Sequence, residues 1–116
     1  MTQEDKTLLL KDLCGRLPYG VKLDNGLKLR SIDVLTKVVS CSGSDRRVDY
    51  VRPYLRPMSS MTEEERKIYM EIGSHLCGEI VAKTMIDWLN KNHFDYRGLI
   101  PIGLALEAPK DMYKTV

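Results

Sequence analysis

The chain has 116 residues, 43% hydrophobic and 29% charged, a composition typical of one globular domain and not of a disordered or fibrous protein. Its longest apolar run, residues 99–106, contains a proline and a glycine and is far shorter than the ~20 residues that span a bilayer. The net charge is +2, with 11 Lys/Arg and 7 Asp/Glu in residues 1–60. This asymmetry is milder than that of most nucleic-acid-binding domains.

The cysteine pattern indicates a reducing compartment. Cys14, Cys41 and Cys77 are odd in number and widely spaced, unlike the paired framework of a small secreted domain. The first six residues are polar and acidic, which does not fit a secretory signal. We therefore expect a cytoplasmic protein whose thiols are reduced and pack as small core hydrophobes.

The N-terminal segment is predicted to form an amphipathic helix. Thr2 precedes Asp5 by three residues, which is the spacing of a capping box, and Gly15 is expected to end the helix. The predicted apolar stripe of this helix consists of Leu9, Leu10, Leu13 and Cys14.

Residues 20–57 are predicted to form a small antiparallel sheet, either a β-meander or a half-open barrel. Asn25 and Gly26 lie between two short alternating segments and favour a tight hairpin turn with positive backbone angles. Pro53 and Pro57 are expected to end the sheet. The other elements expected here are a strand over residues 34–40, a polar turn over 42–45 and a return strand over 47–51.

The second half is predicted to be helical. Thr62 and Glu65 have the capping-box spacing and start a helix, but the glycines at 73 and 78 leave its path through residues 73–84 open. Thr84 and Asp87 repeat the capping pattern, which predicts a break before Thr84 and a helix that ends near Asn92.

The C-terminal stretch is expected to be irregular. Residues 94–108 are apolar but contain Pro101, which suits a first helical position, so we predict a short helical turn packed on the core. Residues 109–116 are expected to form a loose tail. With these elements, the chain is predicted to be one α+β domain, residues 1–116.

The residues capable of metal or catalytic chemistry are few and scattered. His75 and Cys77 are the only close pair of metal-ligand type, and on a helix they would point apart. Cys77, His93 and Asp95 could supply a nucleophile, a base and a carboxylate, but nothing like a nucleophile elbow surrounds them. We therefore expect no cofactor, no metal and no enzymatic activity.

Residues 50–57 combine alternation with two prolines, which favour an extended backbone. An extended chain places aromatic and cationic side chains on one face, namely Tyr50, Arg52, Tyr54 and Arg56. We call these four residues the Tyr/Arg stripe. Such a stripe can form the centre of a protein interface or bind nucleic acid, or it can cover neighbouring side chains at a sheet edge.

A second candidate surface lies at the predicted end of the last helix. It consists of Trp88, His93, Asp95, Tyr96 and Arg97 beside Phe94. Asp95 could pair with Arg97 or cap the next turn. A structural corner and a recognition surface both fit this cluster.

Three stretches of the sequence also carry a resemblance. Residues 16–22 are RLPYGVK, residues 51–65 are VRPYLRPMSSMTEEE, and residues 87–113 are DWLNKNHFDYRGLIPIGLALEAPKDMY. They resemble small uncharacterised proteins encoded in gut Bacteroides genomes, within phage or other mobile elements. The resemblance covers 49 of the 116 residues and implies a bacterial cytoplasmic setting and a mobile-element origin, but no activity.

The leading hypothesis from the sequence is a non-enzymatic protein-binding or accessory protein that contacts its partner through the Tyr/Arg stripe. A weak nucleic-acid-binding protein is the first alternative, and a small enzyme whose site is not visible in the sequence is the second. No membrane partner is expected, and the sequence does not indicate the oligomeric state.

Overall fold

A computed structural model describes residues 1–75 and 79–113 of the chain. The helices are α1 (Gln3–Arg16), α2 (Glu63–His75) and α3 (Glu79–Lys91). The strands are β1 (Leu29–Asp33), β2 (Val38–Cys41), β3 (Ser44–Arg47), β4 (Tyr54–Leu55) and β5 (Leu106–Glu107). This arrangement confirms the predicted α+β class.

Helix α1 begins as predicted, with reciprocal hydrogen bonds between Thr2 and Asp5. It does not end at Gly15 but continues to Arg16 and into a 3₁₀ turn over Leu17–Tyr19. Gly15 is needed for close packing, because a Cβ there would lie 3.0 Å from the Asn90 amide nitrogen. Cys14 was expected in the core, yet its side chain is exposed.

The hairpin predicted at Asn25 and Gly26 is present. The Leu23 N–H donates to the Leu27 carbonyl (2.9 Å), and the Gly26 N–H donates to the Leu23 carbonyl (2.8 Å). Only Gly26 has a positive φ, at 80°, whereas the tight-turn prediction also gave one to Asn25. The loop is therefore one residue longer than a two-residue turn and ends on a left-handed glycine.

Strands β1, β2 and β3 form an antiparallel meander in that order, which confirms the meander prediction. The predicted strand over residues 34–40 is wrong in its first half, because residues 34–37 form a turn. The Asp33 carboxylate accepts the N–H groups of Leu35 (3.0 Å) and Thr36 (3.2 Å), and Lys37 has a φ of 59°. These hydrogen bonds to the Asp33 side chain take the place of the backbone hydrogen bonds that a strand would form here.

The return strand also lies earlier than predicted. β3 starts at Ser44, so only residues 42–43 of the expected polar turn are a turn, and a 3₁₀ turn over Val48–Tyr50 follows.

The two prolines do not end the sheet structure. β4 lies between them and pairs in parallel with β5, and Pro53 itself bridges Leu23. Proline tolerates this position because its carbonyl can still accept the Leu106 N–H (2.9 Å). This pairing also makes residues 106–107 a strand. Residues 99–103 form a turn that is not helical, although Leu99 and Leu104 pack in the core as expected.

The main hydrophobic core lies between α1, the meander and the segments on either side of it. Its members include Leu9, Leu13, Val21, Leu23, Val39, Val48, Val51, Leu55 and Leu99. No described side chain of α2 or α3 belongs to this core. Instead, α3 packs on α1, and α2 packs on α3. The α2–α3 pair is therefore a separate layer.

Helix α2 begins with the predicted capping box of Thr62 and Glu65 and runs through Gly73 and Ser74. The last helix starts earlier than predicted, because α3 begins at Glu79 and the half-buried Thr84 is an interior helical residue. It ends at Lys91, next to the predicted end at Asn92. Gly78 and Cys77 lie outside the described residues. Within the described part of the chain, no helix combines the length and apolar character needed to cross a membrane.

Candidate functional site

The segment that carries the Tyr/Arg stripe is held from both sides. The Tyr54 N–H donates to the Lys22 carbonyl (2.8 Å), and the N–H of Ala108 donates to the Leu55 carbonyl (2.8 Å). The predicted alternation is present in its centre, where Val51, Pro53 and Leu55 are buried. Between them, Arg52 is exposed and Tyr54 is half-buried.

Tyr50 is the most prominent member of the stripe. It ends the 3₁₀ turn over Val48–Tyr50, and its side chain is 71% exposed. Its carbonyl accepts a hydrogen bond from the Arg46 guanidinium, which Asp24 holds through two further bonds of 2.6 and 3.1 Å. The guanidinium of Arg46 therefore ties the backbone at Tyr50 to Asp24 in the hairpin loop.

Arg56 is engaged inside the protein. Its guanidinium donates two hydrogen bonds to the Glu65 carboxylate, at 2.7 and 2.8 Å, and lies 4.2 Å from the Phe94 ring centre. The hydrogen bonds from Arg56 hold the pKa of Glu65 below its ordinary value. The stripe therefore presents three side chains to solvent, and the fourth joins β4 to α2.

The second candidate surface is only partly at the surface, since two of its five residues are buried and three are half-buried. His93 is 8% exposed and Asp95 is 7% exposed, and Phe94 is fully buried. The Asp95 carboxylate accepts the N–H groups of Leu99 (2.8 Å) and Ile100 (3.0 Å), which confirms the predicted cap on the next turn. Trp88 is half-buried, with its ring centre 5.8 Å from that of Phe94.

Arg97 and Tyr96 join a buried network that the sequence did not reveal. Asp12 accepts hydrogen bonds from Arg16 (2.7 and 3.1 Å) and from Arg97 (2.9 Å), so one carboxylate faces two guanidinium groups. Arg16 also donates to the Phe94 carbonyl (2.7 Å). The Tyr96 hydroxyl accepts from Arg97 and donates to Asn90. These contacts make the cluster a corner that joins α1, α3 and the turns after α3.

His93 and Tyr113 form the remaining polar feature of this corner. Their ring centres are 3.8 Å apart, and the rings are nearly parallel, at 20°. Burial and the charges of Arg16, Arg56 and Lys28 lower the pKa of His93 to about 4, so its ring is neutral at pH 7. Burial raises the pKa of Tyr113 to about 12, so the phenol keeps its proton.

The Tyr113 hydroxyl uses both of its hydrogen-bonding roles. It donates to the Tyr54 carbonyl (2.7 Å) and accepts the Lys22 N–H (2.8 Å). Residues 109–113 were expected to be part of a loose tail, but this side chain anchors them. We call residues 109–113 the strap, and we call the site formed by His93, the Lys22 N–H and the Tyr54 carbonyl the socket.

The strap depends on this one anchor. Among the described residues, every hydrogen bond between the strap and the rest of the chain involves the Tyr113 hydroxyl. The docking of the strap therefore depends on the Tyr113 side chain.

An open groove of about 800 Å³ runs along one side of the strap. Its walls are the start of α2 with the residues before it and the segment from β5 to Tyr113, and Arg56 also lines it. The charged side chains that line it are Arg56, Glu64, Glu65, Glu107, Lys110 and Asp111.

The predicted catalytic and metal candidates are not brought together in the described part of the chain. Cys77 lies outside it, and the side chain of His75 is not described. Asp95 is occupied by backbone N–H groups, and no hydrogen bond joins the His93 ring to a described side chain. Within the described residues, no three His, Cys, Asp or Glu side chains are placed to hold a metal ion.

Comparison of the chain with protein-family profiles, with curated proteins and with solved structures found no match.

Proposed function

We propose that this chain is a non-enzymatic protein-binding or accessory protein, and that Tyr50, Arg52 and Tyr54 form its contact surface. The observation that carries this proposal is the 71% exposure of Tyr50 on a fixed backbone. Tyrosine and arginine are enriched among the residues that dominate binding energies at interfaces. A preorganised backbone supports this role because less conformational entropy is lost when the partner binds.

The charges around this surface favour an acidic partner. Arg46 is paired with Asp24, and Lys6 is paired with Asp49 at 3.3 Å. Arg52 is exposed and forms no ion pair with a described residue. Its guanidinium is therefore available to a carboxylate on the partner. The resemblance noted above adds a bacterial phage or mobile element as the proposed setting.

The test compares partner capture by three forms of the full chain from lysates of a gut Bacteroides strain. The forms are the wild type, the double variant Tyr50→Ala with Arg52→Ala, and the control Arg66→Ala, which removes an exposed arginine from α2. We expect the wild type and the control to enrich the same protein and the double variant to lose it. Equal enrichment by all three forms would reject this surface.

Nucleic-acid binding is the alternative that uses the same side chains, because tyrosine can stack on bases and arginine can neutralise phosphates. A gel shift with single-stranded and duplex DNA at low and raised salt separates the two hypotheses. Phosphate contacts must weaken steeply as salt is added. A salt-sensitive shift that the double variant abolishes would replace the protein-binding proposal, whereas the proposal predicts no shift.

A further inference from the structure

The Tyr113 side chain occupies a site that matches both parts of a phenol, the ring and the hydroxyl. The ring lies on the buried face of His93, and the hydroxyl sits between a backbone donor and a backbone acceptor. We propose that the socket binds the tyrosine side chain of a partner polypeptide, and that the strap is the segment with which the chain closes its own socket. This site would operate whether or not Tyr50 and Arg52 bind a protein.

The hydrogen bonds explain why the socket selects tyrosine over phenylalanine. The Lys22 N–H and the Tyr54 carbonyl both meet the hydroxyl of Tyr113 at 2.7–2.8 Å. A phenyl ring would leave both backbone groups without their partner, which sites built around a hydroxyl reject strongly. A phosphorylated tyrosine has no proton to donate to the Tyr54 carbonyl.

The floor of the socket carries a buried polar atom without a partner. His93 is 8% exposed, and its Nδ1 has no hydrogen-bond partner among the described residues. A buried polar atom of this kind calls for an explanation, and a group on a bound ligand is one.

The strap can leave without disturbing the core. It forms no strand pairing, its only hydrogen bonds to the rest of the described chain are those of Tyr113, and Asp111 adopts a left-handed φ of 74°. The groove beside it gives a partner segment a path to the socket, since Tyr113 forms part of the groove wall.

The groove also indicates the character of that segment. Arg56 and Glu65 neutralise each other, and Lys110 and Asp111 would leave with the strap. Glu64 and Glu107 remain on the walls. The partner segment is therefore expected to carry Lys or Arg beside its tyrosine, because these side chains complement the two carboxylates.

The test uses the full chain with Tyr113→Ala, which empties the socket, and follows the ring signals of His93 by NMR. The chain has two histidines, so the His75→Gln variant assigns the signals. The probes are p-cresol and three peptides, Gly-Lys-Tyr-Lys-Gly, Gly-Lys-Phe-Lys-Gly and Gly-Glu-Tyr-Glu-Gly.

We expect p-cresol and the Lys-Tyr-Lys peptide to return the His93 signals toward their wild-type positions. The Phe peptide and the Glu peptide should each bind at least about tenfold more weakly. The wild type should bind the Lys-Tyr-Lys peptide at least about tenfold more weakly than Tyr113→Ala does, because its strap competes. No movement of the His93 signals with p-cresol, or equal binding of the Tyr and Phe peptides, would overturn the proposal.

If Tyr113→Ala does not fold, the Tyr113→Phe variant answers the same question. It keeps the ring on His93 and removes both hydrogen bonds of the hydroxyl. The Lys-Tyr-Lys peptide should therefore displace its strap more easily and bind this variant more tightly than the wild type. Binding no tighter than that of the wild type would contradict a displaceable strap.

Discussion

Two arginines of the Tyr/Arg stripe have opposite roles, although they are four residues apart on one short segment. Arg56 lies on Phe94 and is held by Glu65, whereas Arg52 is exposed without an ion pair to a described residue. We predict that Arg56→Ala lowers the free energy of unfolding by about 1–2 kcal/mol. Arg52→Ala should change it by less than about 0.5 kcal/mol. Urea unfolding measures both, and equal losses would be inconsistent with this division.

Asp12 is expected to be the least replaceable carboxylate in the described chain. It is fully buried and holds Arg16, which is also fully buried, so the Asp12→Asn variant leaves a cation without its counter-charge. The expected loss of unfolding free energy is about 3–5 kcal/mol. Asp49→Asn, which breaks the surface pair with Lys6, is the matched control and should cost less than about 1 kcal/mol. Chemical denaturation of the two variants checks the difference.

His93 makes stability depend on pH in a defined direction. Its pKa falls to about 4 in the folded chain, from an ordinary value of 6.5, so the unfolded state binds the proton first. The stabilisation is complete above pH 6.5 and is lost as the pH falls from 6.5 toward 4, by roughly 3 kcal/mol. The groups that oppose protonation are Arg16, Arg56 and Lys28, and Tyr113 covers the ring.

The His93→Asn variant isolates this contribution, because asparagine also tolerates the φ of 64° at this position. Thermal unfolding across pH 4–7 should show a flatter profile for the variant than for the wild type. Parallel profiles for the two proteins would show that a group other than His93 causes the pH dependence of stability. Glu65, with its lowered pKa, is expected to add a further loss only at and below the ordinary carboxyl range.

At the scale of the elements, the α2–α3 pair is expected to be the less stable layer. Its described side chains take no part in the main core, and Ile68, Met70 and Ile80 are exposed. We predict that α2 amides show at least about tenfold lower hydrogen-exchange protection than the buried part of α1. Equal protection would mean that the chain unfolds as one cooperative unit.

The elements that the sequence predicted well are those with local causes. Both capping boxes depend on residues three apart, and each is formed by the side chains expected. The hairpin at Gly26 likewise depends on one glycine that accepts a positive φ.

The errors arise where tertiary context overrides a local pattern. Thr84 and Asp87 have a capping spacing, but good helix-forming residues precede them and α3 continues. Residues 34–40 are rich in β-branched side chains, which favour a strand, yet the Asp33 carboxylate accepts the Leu35 and Thr36 N–H groups and forms a turn. The β4–β5 pair joins residues about 50 positions apart in the chain, which no local pattern indicates.

For the whole molecule, the candidate surfaces were predicted in part. Alternation correctly placed Arg52 outward and Leu55 inward, because a strand fixes side-chain direction by local geometry. It could not show that Arg56 would meet Glu65 or that His93 would lie beneath Tyr113, because these contacts join separate elements. No sequence pattern singled out Tyr113 in the strap.

The central claim, that the chain binds a protein through the surface around Tyr50, is tested most directly by site-specific photo-crosslinking in host cells. The crosslinking residue p-benzoylphenylalanine replaces Tyr50 in one form and Met70 in another, two side chains of similar exposure, at 71% and 67%. We predict one discrete crosslinked protein band from position 50 and none from position 70. No band from position 50, or the same band from both positions, would contradict the claim.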